Sequence, residues 1–260
     1  MSTFTRKIDQ SLYPSFDDNW DDTLFRSRIS ACLCDDSVVL DIGAGAGLVK
    51  QMNFRGQAAK VCGLDLDQRV VDNPMLDEGK LGDAATIPYP DAYFDVVFAD
   101  NVCEHLDDPA AVLAEIYRVL KPNGVFLFKT PNRWHYMPLI ARCTPHWFHQ
   151  YINRIRGRAA ADTFPTRYRI NTLGDVQRLA QAAGFWPERI ERIEGRPEYL
   201  RMMWPTYLIG AAYERLVNLS PMFEPFRVLL VAKLRKPNAG KRSHEYMQAC
   251  CPAFGRPDPT

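Results

Sequence analysis

The chain of 260 residues is almost without net charge: 32 Lys and Arg against 31 Asp and Glu leave +1. That balance supplies no bulk field for gripping a polyanion, so nucleic acid is not an expected partner. No uninterrupted apolar run reaches the ~18 residues that a membrane-crossing helix needs. The first 20 residues are polar and partly acidic, so no secretory signal is read there. The 7 cysteines are odd in number and form no C-x-x-C pair, and Cys62 and Cys103 lie in or beside apolar, strand-like runs. They read as reduced, mostly buried thiols of a cytoplasmic protein, and neither a disulfide frame nor a bound metal is expected. Internal repeats are also lacking.

The most informative stretch is residues 38–49, VVLDIGAGAGLV. Val38, Val39 and Leu40 suit a strand buried on both faces. Asp41 follows, and then Gly43, Gly45 and Gly47 alternate with Ala44 and Ala46. Glycines permit positive φ and let a ligand approach the backbone. A strand feeding such a loop and then a helix aims backbone N–H groups at a polar or anionic ligand, so the loop reads as a nucleotide-type cofactor site. The nicotinamide pattern G-x-G-x-x-G is missing its third glycine, because Leu48 stands there, and the Lys-Ser/Thr pair of a phosphate-gripping loop is absent. Asp41, two residues before the first glycine, would repel a pyrophosphate and suit a cation.

Patterning predicts strands at 38–42, 60–65, near 80–83, 94–100 and 124–130, with a helix over 20–33 ahead of them. A helix over 109–120 opens at Pro109 and stops at Asn123-Gly124. Further on come a helix over 172–184, a strand over 188–194, a strongly apolar helix over 205–219 and a last strand over 226–234. Alternating strands and helices imply a doubly wound, seven-stranded, mostly parallel sheet with helices on both faces and a ligand crevice at the carboxyl ends of the strands. Residues 131–170, rich in aromatics, His, Arg and Pro, break this alternation and read as a lid or binding insertion after strand five. From Lys236 onward the chain is polar and Pro-rich and reads as a loose tail.

An acidic residue followed by G-x-G-x-G resembles the first motif of the class I S-adenosylmethionine-dependent methyltransferases. The resemblance continues through GLDLD, LGDAATIPYPDAYFDVVFADNVCEHL and RVLKPNGVFLF, covering roughly residues 36–132. It implies S-adenosylmethionine as cofactor, with S-adenosylhomocysteine as product, held by Asp41, Gly43, Ala44, Gly45 and Gly47. In that likeness Asp65 takes the ribose hydroxyls and Leu66 packs on the adenine. Asp83 and Ala84 meet the adenine amine, and Asp100, Asn101 and Val102 line the methionine part. It also implies an organisation of 1–35 as an N-terminal cap, 36–132 as the cofactor-binding half, 133–170 as the substrate insertion, 171–235 as the C-terminal half and 236–260 as the tail.

No N/D-P-P-Y/F sequence follows strand four, where Asp100-Asn101-Val102-Cys103 stands instead, which argues against amide or nucleobase amino acceptors. Nor does Cys103 have a neighbouring Pro, as a cytosine-5 nucleophile would. The expected acceptor is a small molecule, methylated at a hydroxyl oxygen by in-line displacement. His105, a few residues past strand four, is the candidate base. Arg133, His135, Tyr136, His146, Arg167 and Tyr168 are candidate acceptor contacts, and His149 and Arg169 stand beside them. Two rivals remain. One is methylation of a lipid, quinone or glycan precursor at a membrane, because the apolar 202–213 stretch leaves peripheral membrane or subunit contact open. The other is a protein that binds the cofactor without catalysis. Oligomeric state is not legible.

Overall fold

The computed structural model describes residues 3–16, 19–143, 165–201 and 203–238. Two helices, α1 (Thr3–Leu12) and α2 (Trp20–Ser30), precede the sheet. Strands β1 (Val38–Ile42), β2 (Lys60–Asp65), β3 (Glu78–Leu81) and β4 (Phe94–Asp100) lead to α3 (Pro109–Val119) and the long β5 (Leu120–Pro131). Then come α4 (Tyr136–Cys143), α5 (Leu173–Ala182), β6 (Trp186–Ile193), α6 (Trp204–Leu219) and β7 (Leu229–Arg235). The seven strands form one sheet in the order β3-β2-β1-β4-β5-β7-β6. All neighbours pair in parallel except β7, which runs antiparallel to both β5 and β6. The mostly parallel sheet expected from the sequence is therefore present.

Side chains alternate across the pleat. Leu40, Ile42, Leu64, Val97, Phe126 and Phe128 pack on the face covered by α3 and α5, with Val112, Leu113, Ile116, Val176 and Leu179. Val39, Val61, Val96, Phe98, Val125 and Leu127 pack on the other face beneath Phe25 and Ile29 of α2. The start of α3 is the predicted one: the Asp108 side chain accepts from Ala110 N and Ala111 N, and Pro109 occupies the first turn. Its end at Val119 falls short of Asn123-Gly124. Lys121 precedes Pro122, which pushes it out of the helical region, and β5 has already begun at Leu120.

One expectation is corrected. No α-helix follows the glycine loop; only a 3₁₀ turn stands there, Lys50–Met52, and another, Gln68–Asp72, follows β2. The reason is chain length and composition: few residues separate the loop from β2, and they include Asn53 and Gly56, with φ +79° at the latter. In place of a helix face, Met52 and Phe54 plug the sheet. Phe54 is fully buried, edge-on to Phe98 at 5.3 Å between centroids, with the Arg26 guanidinium 4.8 Å above its ring.

Helix α1 is held against the segment that follows β6 and against α6. Asp9 accepts from Tyr207 Oη at 2.5 Å and pairs with Arg201 at 2.6 Å and Arg196 at 3.3 Å. Helix α6 buries Tyr207, Gly210, Ala211 and Val217 but leaves Trp204, Leu208, Ile209, Leu216 and Leu219 exposed along one side. The apolar stretch read from the sequence is thus half core and half surface. Among the described residues no helix is long and apolar enough to cross a membrane.

Because Phe54 substitutes for a helix, Phe54→Ala is expected to cost about 3–5 kcal/mol, measured by urea unfolding. A loss under ~1 kcal/mol would mean that the plug does not carry this face of the sheet.

Candidate active site

At the carboxyl end of β1, three glycines adopt left-handed backbone conformations: Gly43 at φ +80°, Gly45 at +49° and Gly47 at +72°. Space is as restrictive as torsion. A Cβ at Gly43 would lie 2.2 Å from Val102 Cγ2, and one at Gly47 would lie 2.3 Å from Asn73 Oδ1. The loop is braced from outside by Asn73, whose amide donates to the carbonyls of Ala44 at 3.0 Å and Gly45 at 3.2 Å. From β2, Asp65 accepts Gly45 N and Asp67 N, each at 2.8 Å, which fixes its carboxylate at the cavity rim.

The loop encloses a cavity of about 210 Å³ lined by Asp41, Gly43, Ala44, Gly45, Gly47, Asp65 and Asp100, together with Met52, Asp67, Asn73 and Met75. Four carboxylates thus line one small space, and one of them, Asp67, is paired with Arg69 at 2.5 Å. Burial pushes Asp41 well above the ordinary carboxylate range, and the charges of Asp100 and Asp65 add to it. Burial likewise lifts Asp100 to about 6; Lys129 opposes the rise and Asp22 adds to it. Such a site repels phosphates and attracts a cation.

Lys129 lies directly behind Asp100, its register partner on β5. Its side chain is fully buried and its ammonium is 3.0 Å from Asp100 Oδ1, 2.9 Å from Asp21 and 2.5 Å from Asp22. Burial works against this charge, but Asp100, Asp21 and Asp22 outweigh it and hold the ammonium protonated. Asp100 also accepts from Asn101 Nδ2 at 2.9 Å, and Asn101 sits at φ +54°.

The other predicted cofactor residues do not line this cavity. Leu66 is exposed beside Asp65, Val102 packs under Gly43, and Ala84 packs on the core. Asp83 is exposed and caps its own turn by accepting Ala85 N.

Past Asp100, the turn 101–106 leads toward a second cavity of about 570 Å³, lined by Asp107, Asp108, Arg133, Arg167, Tyr168, Arg169, Asp175 and Arg178. His105 sits on this turn. Its Nδ1 is 3.1 Å from Pro165 O, and because a carbonyl can only accept, Nδ1 carries the hydrogen of that bond. Nε2 lies 3.8 Å from Glu104 Oε1. Glu104 is buried, accepts from Thr130 Oγ1 at 2.8 Å, and is raised above the usual carboxylate range by that burial.

Arg133, Arg167 and Tyr168 line this one cavity, but His135 does not. It is fully buried, 4.0 Å from the Tyr136 ring and 5.5 Å from the Tyr213 ring between centroids, and burial alone lowers it to about 3. The expectation that it faces an acceptor is corrected: it is neutral packing between α4 and α6. Tyr136 packs edge-on against Tyr213 and lines neither cavity. His146 and His149 lie outside the described residues. Sequence reading missed Asn73, Glu104 and Lys129. Lys129 sits in an apolar run and draws attention only as a charge placed where a buried strand should carry none. Among the described residues no cluster of His, Cys, Asp or Glu could hold a metal.

Known proteins share this architecture. Residues 40–128 match the family model described as a methyltransferase domain. Over 117 residues the chain is 40% identical to a probable S-adenosylmethionine-dependent methyltransferase of Mycolicibacterium smegmatis, covering 43% of this chain and 44% of that protein. Over 96 residues it is 38% identical to the malonyl-[acyl-carrier protein] O-methyltransferase of Serratia marcescens, covering 35% of this chain and 37% of that one. The chain spans less than half the length of these curated relatives. The fold is similar to that of phosphoethanolamine N-methyltransferase 2 of Haemonchus contortus in complex with S-adenosyl-L-methionine, at a TM-score of 0.54 and 16% identity, over 92% of this chain and 61% of that one.

The raised Asp100 sets a pH dependence. The carboxylate should attract a cationic ligand above about pH 6 and lose that attraction as it takes a proton below it. Affinity for S-adenosylmethionine, measured by calorimetry, is expected to rise between pH 5 and 7 by up to about tenfold and to flatten above. The stability effect runs the opposite way. The native state holds this proton more tightly than the unfolded chain, so the contribution of Asp100 to stability falls as pH rises from the ordinary carboxylate range through about 6.

Proposed function

We propose, from the match of residues 40–128 to the methyltransferase-domain family model, an S-adenosylmethionine-dependent enzyme that transfers a methyl group to the hydroxyl oxygen of a small molecule. The observation that carries this reading is the convergence of Asp41, Asp65 and Asp100 on a glycine cradle that a Cβ would obstruct. The residues fit the cofactor: Asp100 and Asp41 supply negative charge for its ammonium and sulfonium, and Asp65 offers its remaining lone pairs to a ribose diol. When bound, the cofactor supplies an electrophilic methyl group whose bond to sulfur breaks with the electron pair left on sulfur.

Proton removal falls to His105. With Nδ1–H held on Pro165 O, the Nε2 lone pair is the one to receive the acceptor's hydroxyl proton. The Glu104 carboxyl 3.8 Å away stabilises the imidazolium that results. Oxygen as the reacting atom is further supported by the absence of an amide-directing motif after β4 and by the O-methyltransferase among the relatives.

Calorimetry with S-adenosylmethionine, S-adenosylhomocysteine and NADH tests the cofactor half of this reading. Micromolar binding of the two sulfur compounds alone is expected. Asp65→Ala should weaken it at least about tenfold, since each charge-assisted hydrogen bond is worth roughly 1.5–3 kcal/mol. His105→Ala should leave that binding intact and lower labelled-methyl turnover about 100-fold or more. Retained turnover would remove His105 as the base.

A second reading has one observation behind it, the exposed apolar side of α6. It places the acceptor among lipids or quinones met at a membrane surface. Co-sedimentation with anionic liposomes that disappears in Leu208→Glu plus Ile209→Glu would favour it, and absence of sedimentation in the wild type would dismiss it.

A further inference from the structure

Three of the four arginines in the second cavity already have partners. Arg167 Nε is 2.9 Å from Asp107 Oδ1, Arg169 donates to the Asp107 carbonyl, and Arg178 lies 3.3 Å from Asp175 Oδ1. Arg133 is different: among the described residues its guanidinium has no acceptor.

Its backbone, in contrast, is firmly fixed. Arg133 N donates to Asn171 O at 3.0 Å, and the preceding Asn132, itself buried, donates its amide to Pro225 O and Arg227 O at 2.7 Å each. The facing wall is equally constrained. Tyr168 holds φ +51°, an unfavourable setting for an aromatic residue, and Arg167 N and Tyr168 N both donate to Glu104 O. One chain of hydrogen bonds joins the two walls. Asn171 accepts from Arg133 N and donates to Thr130 Oγ1 at 2.7 Å, and Thr130 donates to the Glu104 carboxylate at 2.8 Å. Strain held in place beside an uncommitted guanidinium on a fixed backbone is the arrangement of a binding site.

We propose that this cavity binds an anionic oxygen group of the methyl acceptor, a carboxylate or a phosphate, with Arg133 as its primary contact. This rests on the methyltransferase reading and adds the acceptor's chemical class to it. A guanidinium presents a planar fork of donors that matches either oxyanion in a bidentate pair. Arg167 and Arg169 are already charge-compensated or bonded by Asp107, so they add shape more than charge. In sequence, the turn that carries His105 joins Asp100 of the first cavity to Asp107 of the second.

The test is a ¹⁵N–¹H titration of the arginine Nε–H signals of the full chain mixed with S-adenosylhomocysteine. Inorganic phosphate and acetate serve as probes, and sodium chloride at matched ionic strength is the control. A saturable shift of the Arg133 signal with phosphate or acetate, absent with chloride, is expected. Arg133→Gln should weaken it at least about tenfold, and Arg133→Lys should retain part of it. Tighter binding of phosphate assigns a phosphorylated acceptor, and tighter binding of acetate a carboxylated one. No saturable shift well above the millimolar range, or equal shifts in Arg133→Gln, would overturn the proposal. An unchanged thermal melt validates the variant; should it fail to fold, the wild-type titration against chloride decides. Calorimetry on the same samples separates the two levels: S-adenosylhomocysteine binding without anion binding overturns only the acceptor class, and anion binding without it overturns the methyltransferase reading.

Discussion

A fully buried ammonium is the constraint on which the rest of this molecule depends. Lys129 occupies an interior strand on the face covered by α2, where its neighbours in the pleat are apolar. A lone charge there would cost several kcal/mol of desolvation. The cost is met by three carboxylates from two distant parts of the chain, Asp21 and Asp22 from the first turn of α2 and Asp100 from the end of β4. The N-terminal segment, the centre of the sheet and the wall of the first cavity therefore cannot shift independently. Removing the ammonium would leave the acids repelling one another, and removing the acids would leave the ammonium bare.

The same cluster shapes the chemistry in front of it. One positive charge faces three negative ones, and Asp41 adds a fourth carboxyl nearby, so the cavity retains a surplus of acid even after Lys129 is counted. Protonation of Asp100 and Asp41 relieves the surplus when the cavity holds no cation. A cationic ligand relieves it by direct pairing. The second cavity has the opposite sign at Arg133, and the turn bearing Glu104 and His105 separates the two. Under the proposed function, a cation-seeking cavity and an anion-seeking one would take the two different reactants.

Much of this was legible in the sequence. The central strands were readable because parallel strands buried on both faces appear as continuous apolar runs, as in residues 94–100 and 124–130. The loop was readable because positive φ and close packing at Gly43 and Gly47 admit no other residue. Asp65 followed from its position at the end of β2, and Asp100 from the family resemblance. What stayed hidden depends on distance in the fold. Nothing local joins Asn73 to the carbonyls of the glycine loop, or Glu104 to Thr130 and Asn171. His135 misled because a histidine in an aromatic, basic segment has the same local pattern whether it faces a cavity or sits under two tyrosines. The missing helix after β1 misled for a different reason: Leu48 and Val49 begin an apolar pattern that the short connection to β2 leaves no room to extend.

The reversed strand β7 has a bearing on how the molecule is born. It lies between β5 and β6, so the two are neighbours only through it. Asn123 and Arg235, bonded across this junction, are 112 residues apart. During synthesis the edge of β5 must wait, unpaired, until residues near 235 have left the ribosome. Such an edge is an open template for other chains. The interval is lengthened by everything inserted between β5 and β7, including the segment that shapes the second cavity. Elaboration of acceptor recognition in this architecture is therefore coupled to exposure time on the ribosome, and a nascent chain stalled before β7 presents its most aggregation-prone surface.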